Sequence, residues 1–196
     1  MPRIAIPDGA LVVLVGVSGS GKSTFAATHF GPTQVLSSDA FRAIVADDPA
    51  DQRASRAAFE LLDLAARRRL ERGRLTVIDA TSVTRPARSG LLRLARDAHR
   101  PAVAIVLDPA LGVCLERNAS RAGRRVDAAV IRRQHEALRR SLAAEGGLVA
   151  EGFASVHHLL DPDPRHHVTI VRRPAPDTTA PAPGTIPTAP PGSAHR

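Results

Sequence analysis

One octapeptide sets the terms for the whole chain. Gly16-Val17-Ser18-Gly19-Ser20-Gly21-Lys22-Ser23 fits the pattern G-x-x-x-x-G-K-[ST] without mismatch. Such a loop works between a strand and a helix, where its backbone N–H groups and the helix N-terminus converge on one anion. Both flanks agree. Ala10 to Val15 (Ala-Leu-Val-Val-Leu-Val) is a short continuous apolar run, as expected of a central strand in a parallel sheet covered on both faces. Lys22 to Phe30 can form a helix, with Gly31-Pro32 as its stop signal. The implied ligand is the phosphate chain of an NTP. Composition adds weight here, because Lys22 is the one lysine among 27 Lys and Arg residues. A planar guanidinium fork does not fit a tight phosphate cradle, whereas an ammonium is a compact point charge.

Downstream the pattern alternates. Strands are expected at Thr33–Ser37, Leu75–Asp79, Ala102–Leu107 and Ala154–Leu160, with Val168–Val171 as a sixth on an edge. Helices are expected around Ala40–Ala46, Ala54–Arg72, Arg88–Arg100, Pro109–Ser120 and Asp127–Ala144. The second of these carries an apolar stripe at Phe59, Leu62, Ala66 and Leu70 and is closed by Gly73. Alternation of this kind implies an α/β fold, a parallel sheet of about five strands with helices on both faces and right-handed crossovers. From Pro174 the chain is almost entirely Ala, Pro, Thr and Gly. Such a composition cannot bury enough apolar surface to order itself, so residues 1–173 are read as one domain and 174–196 as a disordered tail.

At 196 residues the chain is long enough for one α/β domain and too short for two full ones. It has no apolar stretch of membrane-spanning length, and its Met-Pro-Arg-Ile start has no signal-peptide profile. The single cysteine, Cys114, excludes an intramolecular disulfide and is read as core. A cytoplasmic protein without a membrane partner is the expectation. The net charge of +8 favours a polyanionic partner such as nucleic acid. With no Trp or Tyr and five Phe, contacts to phosphate are expected ahead of base stacking.

Several residues are placed to do chemistry. Ser38 and Asp39 follow the second strand, at the end of a parallel sheet where ligands bind. Asp39 and Arg42, three apart, share one helix side. The carboxylate can accept a proton from an attacking hydroxyl while the guanidinium holds an anionic acceptor group. The competing reading makes Ser38 or Asp39 a helix cap and leaves Arg42 exposed. Asp79 ends the Leu-Thr-Val-Ile-Asp strand, where a carboxylate helps hold Mg²⁺, directly or through water, beside the P-loop Ser23. Its competitor is again a cap. Arg117, Arg121, Arg124 and Arg125 cluster where the helix breaks at Gly123, and Arg117 and Arg121 are expected to share a face of a lid over about 117–126. Arg67-Arg68-Arg69 and Arg139-Arg140 read as solvated basic faces. His157-His158 and His166-His167 read as surface or edge-strand residues rather than metal ligands. Asp161-Pro162-Asp163-Pro164 reads as a turn.

In order, the P-loop with Thr24, Ser38-Asp39-x-x-Arg42, Asp48-Pro-Ala-Asp-Gln52 continuing to Phe59, Val77-Ile-Asp-Ala-Thr81, Glu116-Arg117-Asn118-x-x-Arg121-x-x-Arg124-x-Val126 and Glu151-Gly152-Phe153 resemble the kinase module of bacterial polynucleotide kinase–phosphatase repair enzymes. The likeness runs from about Ala10 to Leu160. It implies an adenylate-kinase-like P-loop phosphotransferase that moves the γ-phosphate of ATP or another NTP, with Mg²⁺, to a 5′-hydroxyl polynucleotide end. It further implies a general base at Asp39, an acceptor-phosphate clamp at Arg42 with Gln52, and donor-phosphate contacts from Arg117 and Arg121. Nucleotide would be held by Gly16, Ser18, Gly19, Ser20, Gly21, Lys22, Ser23 and Thr24. Where the family often has Arg-Gln after the lid, this chain has Arg124-Arg125, and no role carries over to Arg125. Family members continue into phosphatase and ligase domains, whereas this chain continues into its Pro-rich tail. Two other readings stay open: the same machinery acting on a small hydroxyl acceptor (sugar, nucleoside or antibiotic), and an ATP-binding switch or ATPase with no acceptor.

Overall fold

The computed structural model describes residues 3–121, 125–160 and 168–174. Among the described residues, seven strands and six α-helices follow in chain order: β1 Arg3–Pro7, β2 Leu11–Val15, α1 Lys22–His29, β3 Val35–Ser37, α2 Ser38–Ala46, α3 Ser55–Glu71, β4 Thr76–Asp79, α4 Arg85–Asp97, β5 Ala102–Leu107, α5 Leu111–Ala119, α6 Ala128–Ala143, β6 Ser155–Leu159 and β7 Thr169–Arg173. Five of the strands form one parallel sheet in the order β3-β4-β2-β5-β6. The strand that feeds the P-loop is therefore central, with Leu11 opposite Thr76 on one side and Ala102 on the other.

Every residue of β2 is buried, and its two faces serve different layers. Leu11, Val13 and Val15 pack with Leu62, Ala66 and Leu70 of α3, Leu91 and Leu92 of α4, and Ile131 and Leu138 of α6. Val12 and Leu14 pack with Phe25 and Ala26 of α1 and with Ile4 and Ile6 of β1. A strand enclosed on both faces has no polar positions to spare, which is why its sequence is a run rather than an alternation. Truncating one of these side chains, Leu62 for example, costs about 2–5 kcal/mol. The helix starts are set locally: the Thr84 side chain accepts from Ala87 N and that of Asp127 from Ala129 N.

The structure corrects four expectations. The strand expected at Thr33–Ser37 shrinks to three residues, because Pro32–Gln34 forms a 3-10 turn first. The C-terminal strand does not extend the main sheet. β7 pairs in parallel with β1, a strand the sequence reading omitted, in a separate two-stranded sheet whose Ile4 and Ile6 cover the second core layer. Phe59 is not part of the core stripe of α3. It is 43% exposed, and Ala58 takes the buried position beside Leu62. Arg42, which the capping alternative leaves in solvent, is buried. His157 and His158 lie on β6, an edge strand. Gly123, Arg124, Asp161–Pro164, His166, His167 and the tail from 175 onward lie outside the described residues.

Candidate phosphoryl-transfer cleft

The C-terminal ends of β2, β3 and β4 open into a cleft of about 670 Å³. Its floor is the P-loop. Gly19 has φ +82°, and a Cβ there would sit 2.2 Å from the carbonyl oxygen of Cys114, so only glycine lets the loop press against α5. Gly21, at φ +96°, is the residue from which α1 starts, and its left-handed backbone turns the first N–H groups of the helix toward the loop. Ser18, Gly19, Gly21, Lys22, Ser23 and Thr24 line the cleft, while Gly16 and Ser20 lie behind them.

Lys22 is 8% exposed, and its ammonium donates to the carbonyl oxygens of Gly16 and Val17, each at 2.8 Å. Burial pushes its pKa down to about 8 against the opposing pull of the Asp79, Cys114 and Asp39 groups nearby. Asp79 is also buried at the end of β4. Burial raises its pKa, and the Ser23 hydroxyl and Lys22 ammonium beside it pull the other way. Ser23 and Asp79 thus place a hydroxyl and a carboxylate together. This is an oxygen donor set of the kind Mg²⁺ takes when phosphate oxygens complete its shell.

On one wall, Asp39 in the first turn of α2 forms an ion pair with Arg42. Arg42 Nε also donates to Pro49 O at 2.9 Å, so the guanidinium is fixed from two directions. The helix starts from Ser37, whose side chain makes no capping hydrogen bond. Gln52, Ser55 and Phe59 continue this wall. On the opposite wall stand Arg117 of α5, Ser120, Arg121 and Val126. Asn118 bonds to Val126 across the segment that follows α5. Gln134 of α6 reaches back to the floor, where its side-chain oxygen accepts from Ser18 N at 2.9 Å.

The residues expected to act together, Lys22, Ser23, Asp39, Arg42, Gln52, Asp79, Arg117 and Arg121, all line this one cleft. Sequence reading missed Phe59, Gln134 and Asn118. Phe59 carries none, because at helical spacing it fits the stripe of Leu62, Ala66 and Leu70 as well as Ala58 does. Gln134 carries none, being one polar residue on a helix 116 positions from its partner.

Residues 11–144 match the model of the AAA domain (AAA_33) family. No curated protein matches the chain. Among solved structures it is similar to a chain of the Pnkp1/Rnl/Hen1 RNA repair complex, with 19% identity and a TM-score of 0.59 over 69% of this chain and 45% of that one. A putative kinase from Chloroflexus aurantiacus follows, with 19% identity and a TM-score of 0.54 over 78% and 89% of the two chains. Chaetomium thermophilum Kti12 in complex with ADP-AlF3 has 15% identity and a TM-score of 0.52 over 76% and 88%. At these identities the likeness is one of fold. The chain spans less than half the length of the repair-complex chain it resembles.

Proposed function

This chain belongs to the AAA domain (AAA_33) family of P-loop phosphotransferases, and we propose that its reaction is transfer of the γ-phosphate of ATP or another NTP to the 5′-hydroxyl of a polynucleotide. The observation that carries this reading is the pairing of Asp39 with a buried Arg42 on the acceptor side of a P-loop cleft. A hydrolase or switch has no use for a carboxylate facing an acceptor, and a neutral acceptor has no use for a fixed guanidinium beside it.

In this reading the loop N–H groups and Lys22 hold the donor phosphates, and Arg117 and Arg121 neutralise charge on the phosphoryl group in transit. Asp39 takes the proton of the attacking hydroxyl as the new O–P bond forms and the bond to the leaving diphosphate breaks. Arg42 orients that carboxylate and, with Gln52, holds the acceptor's phosphate. Mg²⁺ held by Ser23 and Asp79 would supply charge neutralisation at the donor phosphates. The catalytic unit is residues 1–173, with 174–196 dispensable for chemistry.

The test is transfer of labelled γ-phosphate to 5′-hydroxyl oligonucleotides, to the same oligonucleotides already 5′-phosphorylated, and to sugars and nucleosides. Label on the 5′-hydroxyl oligonucleotide alone supports the proposal. Label on a small alcohol, or ATP turnover indifferent to any acceptor, overturns it.

A further inference from the structure

Arginines from three separate stretches of the chain meet at the end of the molecule opposite the cleft, where β2, β4 and β5 begin. Arg69, Arg72 and Arg74 lie at the junction of α3 and β4, Arg100 between α4 and β5, and Arg172 and Arg173 at the end of β7. The stretches touch. A Cβ on Gly73 would sit 2.9 Å from the Arg100 guanidinium, and one on Gly9 would sit 2.9 Å from Gly73 O and 3.3 Å from Arg100. Asp8 N donates to Arg173 O at 2.7 Å, and the Asp8 carboxylate pairs with Arg172 at 2.6 Å.

Half of this group has structural work. Arg69 donates to Leu75 O at 2.8 Å, and Arg100 Nε to Leu70 O at 3.4 Å, which closes the carbonyl end of α3. Arg172 is held by Asp8. Arg72, Arg74 and Arg173 are exposed, and none has an ion-pair partner among the described residues. Like charges are crowded here: burial and then the charge of Arg74 lower the pKa of Arg69, whose Nε is buried without a hydrogen bond. Crowding of this kind is costly unless an anion shares it.

We infer that this end of the sheet is a second binding surface, separate from the cleft, for the sugar–phosphate backbone of a nucleic acid. Guanidinium forks match phosphate oxygens two at a time, and a surface of arginines alone reads backbone rather than bases. A membrane surface would combine charge with apolar anchors. Among the described residues, the exposed large apolar side chains, Ile44, Val45, Phe59, Leu61, Leu64, Val149 and Leu160, include none from the junctions that meet here. The inference borrows its purpose, a grip on a long acceptor, from the proposed reaction, but the binding itself does not depend on that reaction.

The full chain is therefore tested with closed circular single-stranded DNA, which has no end to enter the cleft. Wild type should bind it with a marked salt dependence. Arg72→Gln/Arg74→Gln/Arg173→Gln should weaken binding about tenfold or more near 0.1 M salt and lower the slope of log K against log salt by about 2. The Lys variants at the same three positions should retain most of the affinity, and transfer to a short 5′-hydroxyl oligonucleotide should be unchanged in the triple variant. Should the triple variant melt early, Arg72→Gln/Arg74→Gln is read instead, with a slope change of about 1. Unchanged DNA affinity and slope overturn the inference, as does arginine-dependent binding to phosphatidylserine vesicles without DNA binding. Failure of the short-acceptor assay alone would overturn the proposed reaction and leave the surface standing.

Discussion

Asn118 and Val126 are joined by two reciprocal hydrogen bonds: Asn118 Nδ2 donates to Val126 O at 2.8 Å, and Val126 N donates to Asn118 Oδ1 at 2.9 Å. A buried side-chain amide thereby imitates one rung of a β-ladder. It pinches together the two ends of the segment that carries Arg121, which lies just past the end of α5, the helix that bears Arg117, so the helical face expected for the pair is not formed. The clip is expected to hold Arg121 over the cleft beside Arg117.

Asn118→Ala should leave both Val126 backbone groups without their partner and cost about 1–3 kcal/mol in chemical or thermal unfolding. Because the arginines lose their anchor, kcat should fall more than nucleotide affinity. Asn118→Asp, which keeps only the acceptor, should be intermediate. Wild-type turnover in Asn118→Ala would show that the clip does not position the lid.

Lys22→Ala should abolish transfer, and Lys22→Arg should be nearly as damaging, because the buried pocket between Gly16 O and Val17 O is shaped for an ammonium. The depressed pKa also sets a pH dependence. With a folded-state value of about 8 against 10.5, the unfolded chain binds more protons in that window, so nucleotide-free stability should rise as pH climbs through it. Nucleotide binding favours the charged lysine, so ATP should bind with proton uptake and more weakly above pH ~8. Melting curves and calorimetry in buffers of different ionisation enthalpy read both effects.

Asp39 and Arg42 should separate in kinetics. Asp39→Ala should lower kcat about 10²–10⁴-fold with nucleotide affinity little changed. Arg42→Ala should raise KM for acceptors that carry a phosphate beside the reacting hydroxyl. It should also lower the melting temperature, because Pro49 O loses its donor. An Asp39→Ala protein with full activity and lower stability would return Asp39 to a purely structural part.

The fully buried Arg88 pairs with Glu151 at 2.6 Å and donates to Ser82 O at 2.8 Å, tying α4 to the turn before β6. Glu151→Ala should cost about 3–5 kcal/mol by stranding the guanidinium. Arg88→Met with Glu151→Leu should recover much of that loss, since paired apolar replacements are often close to neutral. Denaturant unfolding of the three proteins checks the order.

Truncation after Arg173 keeps all of β7 and its pairing with β1. Fold, melting temperature and transfer should be nearly unchanged, as residues 174–196 contain Ile186 as their one sizeable hydrophobe. A large drop in melting temperature would move the domain boundary.

The sequence by itself determined the central motif, the parallel α/β architecture and part of the cleft's lining. Those features are written in local signals: an apolar run before a glycine loop, helical spacing, and acidic or basic residues just past strand ends. Asp39 with Arg42 needed only helical periodicity to be grouped, whereas Arg121 lies past the end of α5 and stands beside Arg117 in the cleft without sharing its helix. Tertiary structure alone decided which side of α3 Phe59 takes, because two adjacent residues fit the stripe; Ala58 is buried, and Phe59 is left half-exposed on the cleft wall. It alone paired β1 with β7, which lie at opposite ends of the chain and carry no mark of each other. It also brought Gln134 to the P-loop and Asn118 to Val126, and it gathered arginines from three stretches that lie far apart in the chain. The physical reason is common to all of these. Periodicity reports on neighbours within one element, whereas a contact between distant elements is chosen by the closing of the core around them.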